Sequence, residues 1–178
     1  MRSKTNTQKG YSNSGLHRLA NSCKYSFLKN CVESLDSILQ HEHYKNRDTK
    51  FHGEEGIYTD KFMSNFAQKN QTDIQSSVDI IIVTCNNYVS LLEAKFDSKQ
   101  VRNIKHKEIQ SKIASTKKLL IDCPYPHDIN KYTYILLNDK NYHQNVTRLR
   151  RAMSNDTKIR TWRVSDMLQF MQKNERVD

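Results

Sequence analysis

The spacing of hydrophobic residues divides the first third of the chain into helical segments. Between residues 16 and 44, apolar side chains recur at intervals of three and four, which predicts an amphipathic helix broken near Asn21. Residues 54–69 repeat the helical spacing, with three aromatic side chains on one stripe. This part of the chain is therefore expected to consist of helices.

The middle of the chain changes to an extended pattern. Residues 78–84 and 88–96 are rich in β-branched and aromatic side chains, and Cys85, Asn86 and Asn87 separate the two runs. Asparagine tolerates the left-handed backbone angles that tight turns require. The two runs are therefore predicted to form a β-hairpin.

The second half alternates between helical and extended patterns. Its predicted elements are a helix over 101–120, a strand over 132–137, a basic helix over 142–153, a strand over 158–164 and a final helix that Ser165 caps. Because the strands are apolar on both sides, we expect an α/β fold in which a central mixed β-sheet is flanked by helices on both faces.

The N-terminal segment differs in composition from the rest of the chain. Residues 1–15 are polar, lack periodicity and contain three Lys or Arg residues and no acid, which predicts a flexible basic arm. Residues 16–178 are expected to form a single domain, since a chain of 178 residues is long enough to bury one core.

Charge and cysteine content narrow the class of protein. The 29 Lys and Arg residues outnumber the 19 Asp and Glu residues, and the net charge of +10 favours a polyanionic partner such as nucleic acid. The four cysteines form no CxxC pair and are too sparse for a disulfide scaffold, which predicts a reducing, cytoplasmic setting. Every apolar run is shorter than the roughly 18 residues needed to cross a bilayer, so no membrane association is expected.

Three charged residues meet at one end of the predicted hairpin. Side chains alternate across a strand, so Glu93 and Lys95 share a face. If the turn has three residues, Asp79 lies directly opposite Glu93, with β-carbons about 4.5–5.5 Å apart. A two-residue turn formed by Asn86 and Asn87 would instead place the two acids on opposite faces.

Two facing carboxylates repel each other and therefore favour a cation between them. Hard oxygen ligands suit Mg²⁺, with Mn²⁺ as an alternative, better than zinc. The simpler interpretation is a solvated stripe of charges on a strand. The strongly apolar neighbours of these residues argue against it, because a half-buried trio of charges is costly.

The pattern resembles a known nuclease motif. Val78 and Asp79, followed by thirteen residues and then Glu93, Ala94 and Lys95, are similar to the motif of the PD-(D/E)xK, or restriction-endonuclease-like, superfamily. The resemblance implies that the two acids and the backbone carbonyl of Ala94 bind the metal. It also implies that Lys95 positions or activates the attacking water, and we favour an electrostatic, orienting role for this lysine.

The resemblance covers roughly residues 53–137 and implies further site residues. Many members of the superfamily add a catalytic, metal-binding acid from a helix ahead of the hairpin, and Glu55 is the matching candidate because it lies on the inward stripe. Glu54 is the second choice. The helix after the hairpin often presents a glutamine near the site, for which Gln110 is the candidate.

The implied activity is that of a Mg²⁺-dependent endonuclease that hydrolyses phosphodiester bonds in DNA. A homodimer would suit cleavage of both strands of a duplex. Basic side chains on two predicted helices are candidates for gripping the phosphate backbone, although solvated helix faces would show the same pattern. These are Lys105, Lys107, Lys112, Arg148, Arg150 and Arg151.

Three alternatives remain open. The first is an RNA endonuclease of the same fold, similar to viral cap-snatching enzymes, in which His52 would serve as a helical Mn²⁺ ligand. The second is a degenerate nuclease fold that only binds nucleic acid. The third is an interaction domain whose basic surface meets an acidic protein.

Overall fold

The computed structural model describes residues 11–45, 50–124, 128–154 and 156–172. These residues form one six-stranded sheet and seven α-helices. The strands are β1 Val32–Ser34, β2 Glu55–Tyr58, β3 Ile80–Val83, β4 Tyr88–Lys95, β5 Asp128–Leu137 and β6 Ile159–Arg163. The helices are α1 Asn13–Ser22, α2 Leu35–His41, α3 Thr59–Asn70, α4 Ser98–Asn103, α5 His106–Ile121, α6 Tyr142–Ala152 and α7 Val164–Gln172.

The six strands lie side by side in the order of the sequence. Strands β1 to β4 form an antiparallel meander, whereas β5 and β6 each run parallel to the preceding strand. Parallel neighbours need a crossover connection, and α4 and α5 supply it between β4 and β5. The prediction of an α/β fold around a mixed sheet is confirmed.

Helices cover both faces of the sheet. Ile80 and Leu92 point to one face and pack against α2 and α7. Ile81 and Leu91 point to the other face and pack against α1, α3 and α5. Every residue of β3 is buried, which explains why its sequence is uniformly apolar rather than alternating.

The predicted hairpin is present, with the three-residue turn. The N–H of Thr84 donates to the carbonyl of Tyr88 at 2.9 Å, and Asn87 adopts a left-handed φ of 59°. The strands pair with Ile80 opposite Leu92. One residue further along, this register places Asp79 opposite Glu93, as the three-residue turn predicts.

The predictions for the first third of the chain are partly wrong. The long helix over 16–44 is interrupted by the edge strand β1, and the helix over 54–69 begins as strand β2 and turns helical only at Thr59. Strands of three or four residues span too few positions for a period-two pattern to emerge. Their apolar residues therefore also fit the helical spacing of their neighbours.

The prediction of a flexible arm over residues 1–15 is wrong for its C-terminal part, and residues 1–10 lie outside the described residues. Helix α1 begins at Asn13, and the Ser12 side chain caps it by accepting from the N–H of Gly15 at 3.0 Å. The Tyr11 hydroxyl donates to the carbonyl of Glu55 at 2.5 Å. These contacts attach the segment to the sheet.

Two cysteines depart from the expected reduced state. Cys23, after α1, and Cys123, after α5, form a disulfide, whereas Cys31 and Cys85 are free. The Cys23–Cys123 disulfide does not support the predicted reducing setting, and the cytoplasmic location stays a prediction. Within the described ranges, none of the helices combines the length and the apolar character needed to cross a membrane.

Candidate metal and catalytic site

The candidate site lies at the edge of the sheet where β2 ends, β3 begins and β4 ends. Asp79 directly precedes β3, and Glu93 and Lys95 lie at the end of β4. Because neighbouring antiparallel strands run in opposite directions, the start of one lies beside the end of the next. The meander therefore gathers residues from three strand ends at one place.

Two helices are attached to the backbone beside Asp79. The Thr59 hydroxyl, at the start of α3, donates to the carbonyl of Val78, and the N–H of Val78 donates to the Thr116 hydroxyl of α5 at 3.1 Å. The N–H of Thr59 also donates to the carbonyl of Asp79 at 3.1 Å. These bonds hold both helices close to the acid.

The Asp79 carboxylate is buried and bridges two elements. One of its oxygens, Oδ2, accepts from the N–H of Ala94 at 2.6 Å, and Oδ1 lies 3.4 Å from the ammonium of Lys112. The residue is 3% exposed. The predicted role of the Ala94 carbonyl as a metal ligand stays a prediction, while the Ala94 amide fixes the orientation of the acid.

Glu93 is the most deeply buried acid of the site, with no measurable exposure. Its Oε1 accepts from Lys95 at 2.6 Å and from Lys112 at 2.7 Å. Its Oε2 is buried and has no hydrogen-bond partner among the described residues. Burial and the nearby Asp79 raise the pKa of Glu93. A buried anion with one unpartnered oxygen is costly, and a cation would relieve that cost.

Lys112 lies in this site, although the sequence placed it on the exposed face of its helix. Burial acts to lower the pKa of Lys112, but the carboxylates of Asp79 and Glu93 outweigh burial and raise it. A signal was available in the sequence, because Lys112 follows Ile109 by three residues and precedes Thr116 by four. It therefore lies on the buried stripe of α5.

Two further acids complete the cluster, and the sequence analysis missed both. Glu42 follows α2, and Asp60 lies in the first turn of α3. One carboxylate oxygen each from Glu42, Asp60 and Asp79 lie within 4.8 Å of one another. Burial, together with Asp79 and Asp60, raises the pKa of Glu42 to about 7, and burial and Asp79 also raise the pKa of Asp60.

Glu42 is positioned by a hydrogen bond and by the packing of the helix that it follows. The Tyr58 hydroxyl donates to its Oε1 at 3.2 Å. Helix α2 approaches the sheet closely because Gly56 of β2 has no side chain: a β-carbon there would lie 3.0 Å from both Leu35 and Ile80. The close packing of α2 brings its C-terminal end, and Glu42 with it, to the strand ends.

Glu55 was the predicted helical acid, and the structure places it elsewhere. Because β2 is a strand, Glu55 lies at its far end, three residues or roughly 10 Å from Tyr58. Its carboxylate contacts His17 at 2.7 Å instead. Glu54 is buried one residue further away, and His52 is exposed in the irregular segment before β2, not in a helix. The prediction that an acid at 54 or 55 joins Asp79 is wrong.

An open groove of about 450 Å³ adjoins the cluster. Asp60 and Lys112 line it, and Ser64, Gln75 and Ser77 contribute further polar groups. Of the charged groups of the site, Asp60 and Lys112 are thus open to the groove. It lies between α3, α5 and the segment that precedes Asp79.

The roles of the other basic residues and of Gln110 in binding nucleic acid stay predictions. Gln110 is exposed, and its side chain interacts with Asp156 rather than with Asp79 or Glu93 of the candidate site. Arg148 is partly buried. The remaining candidates are exposed on α6 or at the start of α5: Lys105, Lys107, Arg150 and Arg151.

Comparisons of the chain with protein-family models, with curated proteins and with solved structures found no match. Inference about function therefore depends on the geometry and charge of the site. Four carboxylates and two ammonium groups meet there, which leaves a formal charge of −2 when all six groups are ionised. One divalent cation would balance this charge.

The raised pKa values predict how the stability of the metal-free protein depends on pH. Glu42 and Glu93 bind protons more tightly in the folded state than at their ordinary pKa of 4.5. The folded state therefore holds more protons than the unfolded state between about pH 4.5 and 7, and the free energy of unfolding falls as the pH rises through this window.

Urea unfolding in the presence of a chelator, at several pH values from 5 to 8, measures this dependence. Glu42→Gln removes one of the two groups and is expected to flatten the slope. A free energy of unfolding that increases from pH 5 to 7 would contradict the burial and pairing described for these acids.

Proposed function

We propose that this chain is a metal-dependent nuclease that hydrolyses phosphodiester bonds, with DNA preferred over RNA as substrate. The observation that carries the proposal is the convergence of the buried Asp79 and Glu93 through Lys112, which lines the adjacent groove, with Lys95 paired to Glu93. The proposal includes a restriction-endonuclease-like core. The hairpin β3–β4, followed by α5 and the parallel strand β5, supports it through its resemblance to that superfamily.

The donor set fits a hard divalent cation. Asp79, Glu93, Glu42 and Asp60 offer only carboxylate oxygens, which Mg²⁺ and Mn²⁺ prefer. The unpartnered Oε2 of Glu93 supplies a free ligand atom. When bound, such a cation activates water and stabilises the charge that develops on a phosphate.

The protein's own groups would orient the reaction. Lys95 is 14% exposed at its side chain, and its ammonium lies 2.6 Å from Oε1 of Glu93, which would place it close to a water that attacks from the acids. The Ala94 amide holds Asp79 in one orientation. The groove beside Asp60 would receive the phosphate backbone, and the net charge of +10 favours its approach.

A degenerate fold that only binds nucleic acid is the competing proposal. A purely binding site gains nothing from four acids facing a polyanion, because carboxylates repel phosphates. The acids are therefore better explained by metal binding. A homodimer, as for enzymes that cut both strands of a duplex, belongs to the same proposal.

Cleavage of a substrate panel tests the proposed function. Supercoiled plasmid, linear duplex, single-stranded DNA and single-stranded RNA are incubated with the protein in Mg²⁺, in Mn²⁺ or in a chelator. We expect cleavage of DNA that requires metal and returns when metal is restored. Asp79→Ala, purified in parallel, should not cut and controls for contaminating nuclease. Binding of nucleic acid without cutting under all conditions would favour the degenerate fold.

A further inference from the structure

The ammonium of Lys112 occupies the space between the two central acids. It lies 2.7 Å from Oε1 of Glu93 and 3.4 Å from Oδ1 of Asp79. The two acids belong to the hairpin, whereas Lys112 reaches them from α5. Its side chain is 16% exposed, so the charge lies inside the site and not on the surface of the helix.

The two lysines of the site differ in their contacts. Lys95 comes from the same strand as Glu93 and makes its ion pair with Glu93. Lys112 pairs with both acids and is, among the described residues, the cation that joins Asp79 to Glu93. A cation that contacts both carboxylates takes the position that a shared metal ion would take.

We propose that Lys112 holds the cation position in the metal-free protein, and that its ammonium moves into the adjacent groove and contacts substrate phosphate when a divalent metal binds. This inference rests on the proposed function and assigns a phosphate-binding role to a residue outside the hairpin motif. The metal and the lysine are thus alternative occupants of one place.

Charge and geometry support the exchange. A divalent metal and an ammonium group repel each other strongly at contact distance where little water screens them, so the two would not both remain against the same oxygens. Lysine carries its charge on a flexible four-carbon stem. Lys112 already lines the open groove of about 450 Å³, which gives the displaced ammonium a polar destination.

The exchange is tested by titrating Mn²⁺ into the full chain by calorimetry. Lys112→Met removes the competing charge at nearly constant length and is expected to raise Mn²⁺ affinity about tenfold. Lys95→Met also removes a charge beside Glu93 and should raise the affinity by a smaller factor. Lys117→Met, at an exposed position of the same helix, should leave it unchanged. In Ca²⁺, Lys112→Met should bind duplex DNA several-fold more weakly than wild type.

The outcomes separate this inference from the proposed function. If wild type binds no Mn²⁺, both fail. If wild type binds Mn²⁺ but the Mn²⁺ affinity of Lys112→Met is no higher than that of wild type, or no higher than that of Lys95→Met, only the exchange is overturned. An unchanged affinity of Lys112→Met for duplex DNA in Ca²⁺ also overturns the exchange alone. Should Lys112→Met unfold too easily for calorimetry, the Mn²⁺-induced rise in melting temperature of Lys112→Ala is compared with that of wild type. A larger rise supports the exchange, and an equal or smaller rise overturns it.

Discussion

Replacing Glu93 with glutamine is expected to lower the rate of metal-dependent cleavage by at least about 10³-fold, since a factor of ten corresponds to about 1.4 kcal/mol and a catalytic metal supplies several kcal/mol. Glutamine keeps the size of the side chain but removes the negative charge that would hold the metal. Glu93 is fully buried, so water cannot replace the lost carboxylate. The measurement is the single-turnover rate on plasmid DNA at saturating Mg²⁺.

The matched control for this variant is Glu108→Gln, which removes an exposed carboxylate from α5. It should cut at the wild-type rate within about twofold. Circular dichroism establishes that both variants are folded. A folded Glu93→Gln protein that cuts at more than about a tenth of the wild-type rate would show that Glu93 is not a metal ligand needed for cleavage.

Glu42→Gln is expected to slow cleavage on the order of 10²-fold, whereas Glu55→Gln should leave the rate unchanged within about twofold, because only the first removes an acid beside Asp79. The cluster of Glu42, Asp60 and Asp79 places three oxygens within 4.8 Å. Glu55 contacts His17 at the opposite end of β2. The pair compares the acid that the structure selects with the acid that the sequence predicted.

The same cleavage assay measures both variants, and Mn²⁺ titration shows whether the loss in Glu42→Gln arises from weaker metal binding. The opposite result, with Glu55→Gln inactive and Glu42→Gln active, would mean that the strand β2 and its register with β3 are misassigned. It would restore the helical interpretation of residues 54–69.

The hairpin was predictable because several local signals agree there. Two long β-branched runs and an asparagine-containing turn predict the hairpin, but strands that are apolar on both faces leave a two-residue and a three-residue turn open. The structure has the three-residue turn, with Asn87 at positive φ. Once this register is set, Asp79 faces Glu93. The sequence therefore predicted that the two acids face each other only for the three-residue turn, and the register in the structure decides between the two alternatives.

The outer acids could not be placed because they depend on contacts between distant elements. Glu42 reaches the site because α2 packs closely over Gly56, and Asp60 because β2 ends at Tyr58. Neither the packing nor the short strand leaves a local pattern. Lys112 is different, because its helical spacing from Ile109 and Thr116 indicated a position on the buried stripe of α5. Since lysine is rarely buried, the sequence nevertheless predicted an exposed side chain at this position.

Diffraction from crystals soaked in Mn²⁺, recorded near the manganese absorption edge, tests the central claim most directly. We expect one strong anomalous peak about 2.0–2.3 Å from carboxylate oxygens of Asp79 and Glu93, with the Lys112 ammonium displaced from between them. A fully soaked crystal in which this place holds no manganese, or in which the two carboxylates point to different sides of the sheet, would contradict it.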